Sequence, residues 1–373
     1  MKILSVIGTR PEAIKMAPLI KLLNKQSFFD AELCVTAQHR EMLDQVLEIF
    51  NIKPNYDLNI MQQSQGMVSV SAKMMTELEK IYTIAKPDII LVHGDTNTCF
   101  AAAYVAFMNK IKVGHVEAGL RTGDLHSPWP EEINRKLTTS LSEYHFVPTA
   151  ESKINLQKED VCTNNILITG NTVIDALRIV KNKFKSQNEI EKKLIKKFIN
   201  INFDKKIILV TGHRRENFGT GIKNICKSLK LIAAKFPDVQ IVYPVHMNPN
   251  VAKPVNDILR EIKNIYLLDP LDYLSFVFLM SKSHIILTDS GGIQEEAPSL
   301  SKPVLVMRDT TERPEAEIAG TVKLVGTCPK NILSAVSELL SSQVSYNEMS
   351  NAINPYGNGY AAEKIVKFLK ELI

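Results

Sequence analysis

The sequence predicts an α/β protein made of two Rossmann-like, doubly wound parallel-sheet domains that face a central cleft. Short β-branched runs alternate with longer amphipathic segments, and a second series of the same kind follows a lysine-rich stretch. The 373 residues exceed the length at which one hydrophobic core usually stops growing. With 45% hydrophobic and 23% charged residues, the composition is that of an ordinary globular protein and not of a disordered one.

The elements follow in order. Residues 3–7 form the first strand, and 32–36, 89–93, 113–117 and 145–148 continue the series. Between them, residues 11–24, 40–50, 68–84 and 98–108 carry apolar side chains at three- and four-residue intervals, the pattern of helices with one buried face. A lysine-rich stretch over 181–206 reads as a solvated helical face. The second series places strands at 206–211, 240–244, 265–268, 285–288 and 304–306. The turn-forming Gly170, Asn171 and Thr172 put the domain boundary there, giving domains 1–170 and 171–360.

Charge and cysteine usage narrow the class. The net charge of +5 is spread along the chain and does not argue for nucleic acid. Cys34, Cys99, Cys162, Cys226 and Cys328 stand singly, without the close pairs of metal or redox motifs, and read as reduced, buried thiols. Residues 3–7 are too short for a signal-peptide core, and no apolar run could span a bilayer. A soluble cytoplasmic protein without membrane insertion is expected.

Ligands of open α/β sheets bind beyond the carboxyl ends of the strands, where this chain places unusually polar residues. The ends carry Gly8 to Glu12, His93-Gly94-Asp95, His115 to Gly119, Gly212 to Asn217 and the turn at Ser290. In residues 285–296 an apolar strand breaks at Ser290-Gly291-Gly292 and runs into a helix, a place suited to phosphate. Glu296, about one turn on, is better suited to ribose hydroxyls. Arg10 and Lys15 oppose the dipole preference of a helix start, which favours an anionic ligand. Each feature also has a plainer reading. Asp95 could cap the following helix, His213-Arg214-Arg215 could be a surface cluster, Phe276 could be core, and the Ser290 turn could be an ordinary connection. No dinucleotide-binding glycine fingerprint, Walker loop, metalloprotease helix motif or serine-hydrolase elbow is present. NAD enzymes, P-loop NTPases and zinc hydrolases therefore lose ground.

Together, residues 6–15, 93–96, 115–121, 128–132, 212–217, 288–296 and 308–315 resemble the non-hydrolysing UDP-N-acetylglucosamine 2-epimerase family along nearly the whole chain. The resemblance implies the glycosyltransferase-B architecture, with a C-terminal helix over 361–373 packing back on the first domain. It implies interconversion of UDP-N-acetylglucosamine and UDP-N-acetylmannosamine, supplying cell-surface polysaccharide, in a homodimer that needs neither NAD nor metal. Asp95, Glu117 and Glu131 match the family's acid–base carboxylates, and His213 its donor at the diphosphate. Arg10, Lys15, Ser290, Gly291, Gly292 and Arg313 would hold UDP, with Leu271 and Phe276 at uracil and Glu296 at ribose. Choosing Glu131 over its neighbour Glu132 rests on the resemblance alone. Gln38, His39, Arg214 and His246 resemble a regulatory site for a second UDP-sugar, although Ser64 stands where allosteric members place arginine and Glu41 where they have glutamine. Leu271 likewise replaces a glutamine found in some members. A hydrolysing epimerase, a glycosyltransferase of the same architecture and a non-enzymatic UDP-sugar sensor are the alternatives.

Overall fold

A computed structural model describes residues 1–36, 40–60 and 66–373, with Glu41 described for its backbone alone. The chain divides into two units, Met1–Ile179 with Tyr356–Ile373, and Val180–Pro355. The first contains β1 (Lys2–Ile7), α1 (Arg10–Leu23), β2 (Asp30–Val35), α2 (Arg40–Phe50), β3 (Tyr56–Asp57), α3 (Met67–Ala85) and β4 (Ile89–His93). It continues through α4 (Asn97–Met108), β5 (Lys112–Val116), α5 (Glu131–Leu141), β6 (Tyr144–Val147), α6 (Ala150–Gln157) and β7 (Ile166–Ile168) into α7 (Thr172–Ser186). Helix α7 runs through the division between the units, so the turn at Gly170 opens a helix.

The second unit follows with α8 (Asn188–Lys197), β8 (Ile207–Thr211), α9 (Thr220–Lys235), β9 (Gln240–Pro244), α10 (Pro249–Leu259), β10 (Ile265–Leu268) and α11 (Tyr273–Lys282). It is completed by β11 (Ile285–Thr288), α12 (Gly291–Glu296), β12 (Val304–Val306), α13 (Pro314–Ile318), β13 (Val322–Leu324), α14 (Pro329–Ser341) and α15 (Gln343–Asn351). Helix α16 (Ala361–Lys370) belongs to the first unit.

Among the described residues, the first sheet has strand order β3-β2-β1-β4-β5-β6-β7 and the second β10-β9-β8-β11-β12-β13, both parallel. In each sheet the order reverses beside the first strand of the unit, β1 or β8. Loops leaving neighbouring strands diverge there and open a crevice at their carboxyl ends. Helices on both faces bury the central strands, which is why β4 and β8 each begin with the unbroken apolar run Ile-Ile-Leu-Val. The first core gathers Leu4, Val6, Leu78, Ile90 and Val92, and the second Ile208, Val210, Ile241, Leu287 and Leu305.

Helix α1 starts where the sequence says it should. Thr9 caps it, Pro11 sits in its first turn, and Glu12 completes a reciprocal capping box with Thr9. Gly8 is required just before it, because a Cβ there would collide with the Thr36 and Thr98 side chains. Helix α16 lies on α1, its Phe368 stands edge-on to Tyr144 and Phe146, and Asp175 of α7 accepts hydrogen bonds from the Ala361 and Ala362 amides. Helix α8 is more than a solvated face, since it buries Leu194, and of the five cysteines expected to be buried, Cys162 and Cys328 are exposed because each lies in a loop leading into a helical turn. Among the described residues, no helix is long and apolar enough to cross a membrane.

Candidate active site

In the first unit the candidate carboxylates Asp95 and Glu117 sit on loops at the carboxyl ends of β4 and β5, and Arg10 and Lys15 on α1 after β1. Strand β5 ends at Val116, one residue before the sequence reading placed it, because Glu117 adopts a left-handed backbone with φ 62°. A non-glycine residue there carries on the order of 1–3 kcal/mol of strain, which its surroundings must offset. They do so at the carboxylate. Glu117 Oε2 meets Lys15 Nζ in a close ion pair and accepts from Asn171 Nδ2 at 2.7 Å. His93 Nε2 lies 3.7 Å away. Burial, assisted by the Lys15 charge, lowers the His93 pKa to about 4 despite the opposing pull of Glu117, so this imidazole is neutral at neutral pH.

Asp95, on the neighbouring loop, is paired with Arg135 Nη2 at 2.6 Å, while its carbonyl accepts from Asn134 Nδ2. Arg135 is nearly buried and is held from behind by Glu132 at 3.0 Å. Glu132 is fully buried and also accepts the amides of Thr122 and Gly123. The adjacent carboxylates are thereby told apart. Glu132 is committed to internal partners, and Glu131 is half-exposed at the first turn of α5, after two cis prolyl bonds at Pro128 and Pro130.

Behind both loops lies Glu12, 1% exposed. Its Oε2 accepts the amides of Gly8 at 2.9 Å and Thr9 at 2.7 Å, and its Oε1 the Thr96 hydroxyl at 2.5 Å. One carboxylate therefore ties the loop that carries Arg10 to the loop that carries Asp95. Burial raises the Glu12 pKa, and these hydrogen bonds oppose the rise.

In the second unit, Asp289 opens the loop after β11 and organises the loop after β8. It accepts the amides of His213 and Arg214, both at 2.9 Å, and Asn217 Nδ2 at 3.1 Å. His213 is exposed and stacks on His246, with ring centroids 5.2 Å apart and 13° between planes. Arg214 lies 3.5 Å from Glu312. Gln38 and His39, grouped with Arg214 and His246 by sequence, lie outside the described residues, as does Ser64.

The Ser290-Gly291-Gly292 turn leads into α12, whose first-turn amides have no partner within the helix. Arg313 lies against it so closely that a Cβ on Gly291 would stand 2.7 Å from the Arg313 Cζ. The guanidinium is nearly buried and held by Glu295 at 2.7 Å and Glu312 at 3.0 Å. Burial favours protonation of Glu312, but the charges of Arg313 and Arg308 hold its pKa down at about 2. Glu296 accepts from the Tyr273 hydroxyl at 3.1 Å. Leu271 precedes α11, and Phe276 sits half-exposed on it between buried Ser275 and Val277, so Phe276 is not a core residue.

Sequence reasoning missed Glu12, Arg135, Asn171, Asp289, Glu295 and Tyr273 as partners of the candidate residues. Glu12 carried a signal in Thr9-x-x-Glu12, the capping-box spacing. The others meet their partners only through the fold.

Two parallel-sheet α/β units with charged loops at the carboxyl ends of their strands define a protein of the glycosyltransferase-B class. The glycotransferase of kitacinnamycin shares that fold at 12% identity, with a TM-score of 0.64 over 98% of both chains. The sequence model of the UDP-N-acetylglucosamine 2-epimerase family matches residues 21–370. The Escherichia coli K12 UDP-N-acetylglucosamine 2-epimerase is 58% identical over 370 residues, 99% of this chain and 98% of that protein. The Neisseria meningitidis UDP-GlcNAc 2-epimerase, solved bound to UDP-GlcNAc, is 54% identical, with a TM-score of 0.94 over the whole of both chains. The chain belongs to the UDP-N-acetylglucosamine 2-epimerase family and is an isomerase.

Proposed function

We propose that the protein interconverts UDP-N-acetylglucosamine and UDP-N-acetylmannosamine by eliminating UDP and adding it back. The observation that carries this reading is the pair of carboxylates, Asp95 and Glu117, at the ends of adjacent strands, each beside a cation. The hydrogen on carbon 2 has no neighbouring ketone to acidify it, so its loss must be coupled to departure of the group on carbon 1. The carbon 1–oxygen bond breaks with its electron pair going to the β-phosphate oxygen. A carboxylate takes the carbon-2 proton and a 2-acetamidoglucal forms. UDP then returns while a proton arrives on the opposite face. Traffic on two faces needs more than one acid or base, a set formed by Asp95, Glu117 and Glu131.

A diphosphate leaving group must be neutralised as its charge develops. Arg10, Lys15, His213, Arg313 and the amides of the Ser290 to Gly292 turn suit that role, with arginine able to bind two phosphate oxygens at once. Half-exposed Phe276 offers uracil a ring, near Leu271 in sequence, and Glu296 offers ribose a carboxylate oriented by Tyr273.

The protein works in the cytoplasm, in keeping with five free cysteines, and supplies N-acetylmannosamine units for cell-surface polysaccharide. It acts as a homodimer, for which exposed Tyr104, Phe107 and Met108 on α4 and Leu137 on neighbouring α5 provide an apolar face. Proton NMR of the purified protein with UDP-N-acetylglucosamine in deuterated water tests the chemistry. The expected product is UDP-N-acetylmannosamine deuterated at carbon 2 without accumulating UDP. Free UDP with free N-acetylmannosamine would instead establish hydrolysis, and binding without turnover a sensor.

A further inference from the structure

On the reading that His213 serves the diphosphate, its other ring nitrogen needs an account. The side chain of Asp289 behind it is fully buried. Its Oδ2 is saturated by three donors, the amides of His213 and Arg214 and the Asn217 side chain, and these suffice to hold the loop. Its Oδ1 is equally inaccessible and has no hydrogen-bond partner among the described residues, with His213 Nδ1 3.8 Å away. A buried carboxylate oxygen without a donor is costly. Closing the gap to a charge-assisted hydrogen bond of about 2.8 Å needs a shift of about 1 Å, within reach of a ring that is 43% exposed.

We propose that Asp289 is a positioning residue for His213: when the diphosphate is bound, Oδ1 accepts the Nδ1 proton and fixes the ring with Nε2 aimed at the leaving oxygen. The Nδ1 proton then stays on His213 throughout. The Nε2 proton passes to the β-phosphate oxygen as the carbon–oxygen bond breaks and returns on re-addition. The charged groups facing the ring are Asp289 after β11, His246 after β9 and adjacent Arg214. Partial desolvation of the half-exposed ring lowers the His213 pKa, His246 and Arg214 lower it further, and Asp289 alone of these raises it.

The variant Asp289→Asn separates loop-holding from ring-holding. Its amide oxygen still serves the three donors, while its NH2 group replaces the acceptor facing Nδ1. Imidazole nitrogen NMR of the full chain saturated with UDP should show His213 protonated at Nδ1 in the parent protein. In Asp289→Asn that proton should move to Nε2, the His213 titration should move to lower pH, and the basic limb of kcat should fall with it. The kcat value should drop at least about tenfold with KM little changed. A parent UDP complex with bare Nδ1, which requires no variant to fold, overturns the proposal. So does a folded Asp289→Asn protein with the parent tautomer and pH profile. Full activity in His213→Asn would instead strike the role of His213 itself.

Discussion

Replacing Glu12 by alanine would test whether one buried carboxylate holds two functional loops. The substitution leaves the buried Gly8 amide and the half-buried Thr9 amide without their acceptor, and each such loss costs about 1–3 kcal/mol. The Thr96 hydroxyl can turn elsewhere and adds little. Against this, a desolvated carboxylate is removed from the interior, which returns part of the loss. The net expectation is about 2–4 kcal/mol, a large share of the roughly 5–15 kcal/mol that stabilises a typical domain. Glutamine keeps an oxygen for both amides, so Glu12→Gln should cost only about 1 kcal/mol. Urea unfolding of the parent and both variants measures the difference. Turnover by the alanine variant should also fall more than about tenfold, because Arg10 and Asp95 lose their common anchor. An alanine variant as stable as the parent, or a glutamine variant as damaged as alanine, would refute the reasoning.

Arg313→Ala should weaken UDP binding by at least about tenfold, read by calorimetry, because a guanidinium lodged on the Gly291 turn is lost; unchanged affinity contradicts its assignment. Asp95→Asn and Glu117→Gln should each lower turnover by orders of magnitude while UDP still binds, and full activity removes that residue from the acid–base set. Burial holds His93, His115 and His145 at about 4, 3 and 4, beneath the ordinary 6.5. The unfolded chain therefore binds more protons in this window, and the contribution is complete above pH 6.5 and lost as pH falls towards 4. Between about pH 7 and about pH 5.5 each histidine should cost about 1.2 kcal/mol, partly offset by Asp175, which burial raises to about 6. Urea midpoints at the two values decide it, and a midpoint that rises on acidification contradicts the sign. Phe107→Glu should convert dimer to monomer in light scattering, and a parent protein already monomeric removes the proposed interface.

The central strands were legible because parallel strands covered on both faces must be apolar, as in β1, β4, β8 and β11. Of the edge strands, β10 was read at 265–268, but β3 has only two residues and β13 three with Lys323 at the centre, too little for an apolar pattern. Helix α5 was missed because its inward face is Asn134, Arg135, Thr138 and Thr139, which carries no hydrophobic period. Candidate residues at strand ends could be named because strand ends bring chemistry together. Their supports could not, since Glu12 meets Thr96 across 84 residues of sequence and Asp289 meets His213 across 76. The backbone of Glu117 was equally hidden. Left-handed glutamate has no sequence signature, and contacts such as those with Lys15 and Asn171, which hold it there, are visible in the fold alone.

The docking of α16 on α1 and Asp175 has a bearing on how the molecule is made. A ribosome releases β1 to β7 early, yet the helix that covers α1 and receives the Asp175 carboxylate is synthesised only after the entire second unit. Until then the first unit waits with an apolar flank and a buried-to-be acid open to water, the state in which a nascent chain is most prone to mispairing and to capture by chaperones. Its maturation is timed by the completion of its neighbour. Removing a few residues near the carboxyl terminus would thus be felt first in the oldest part of the chain.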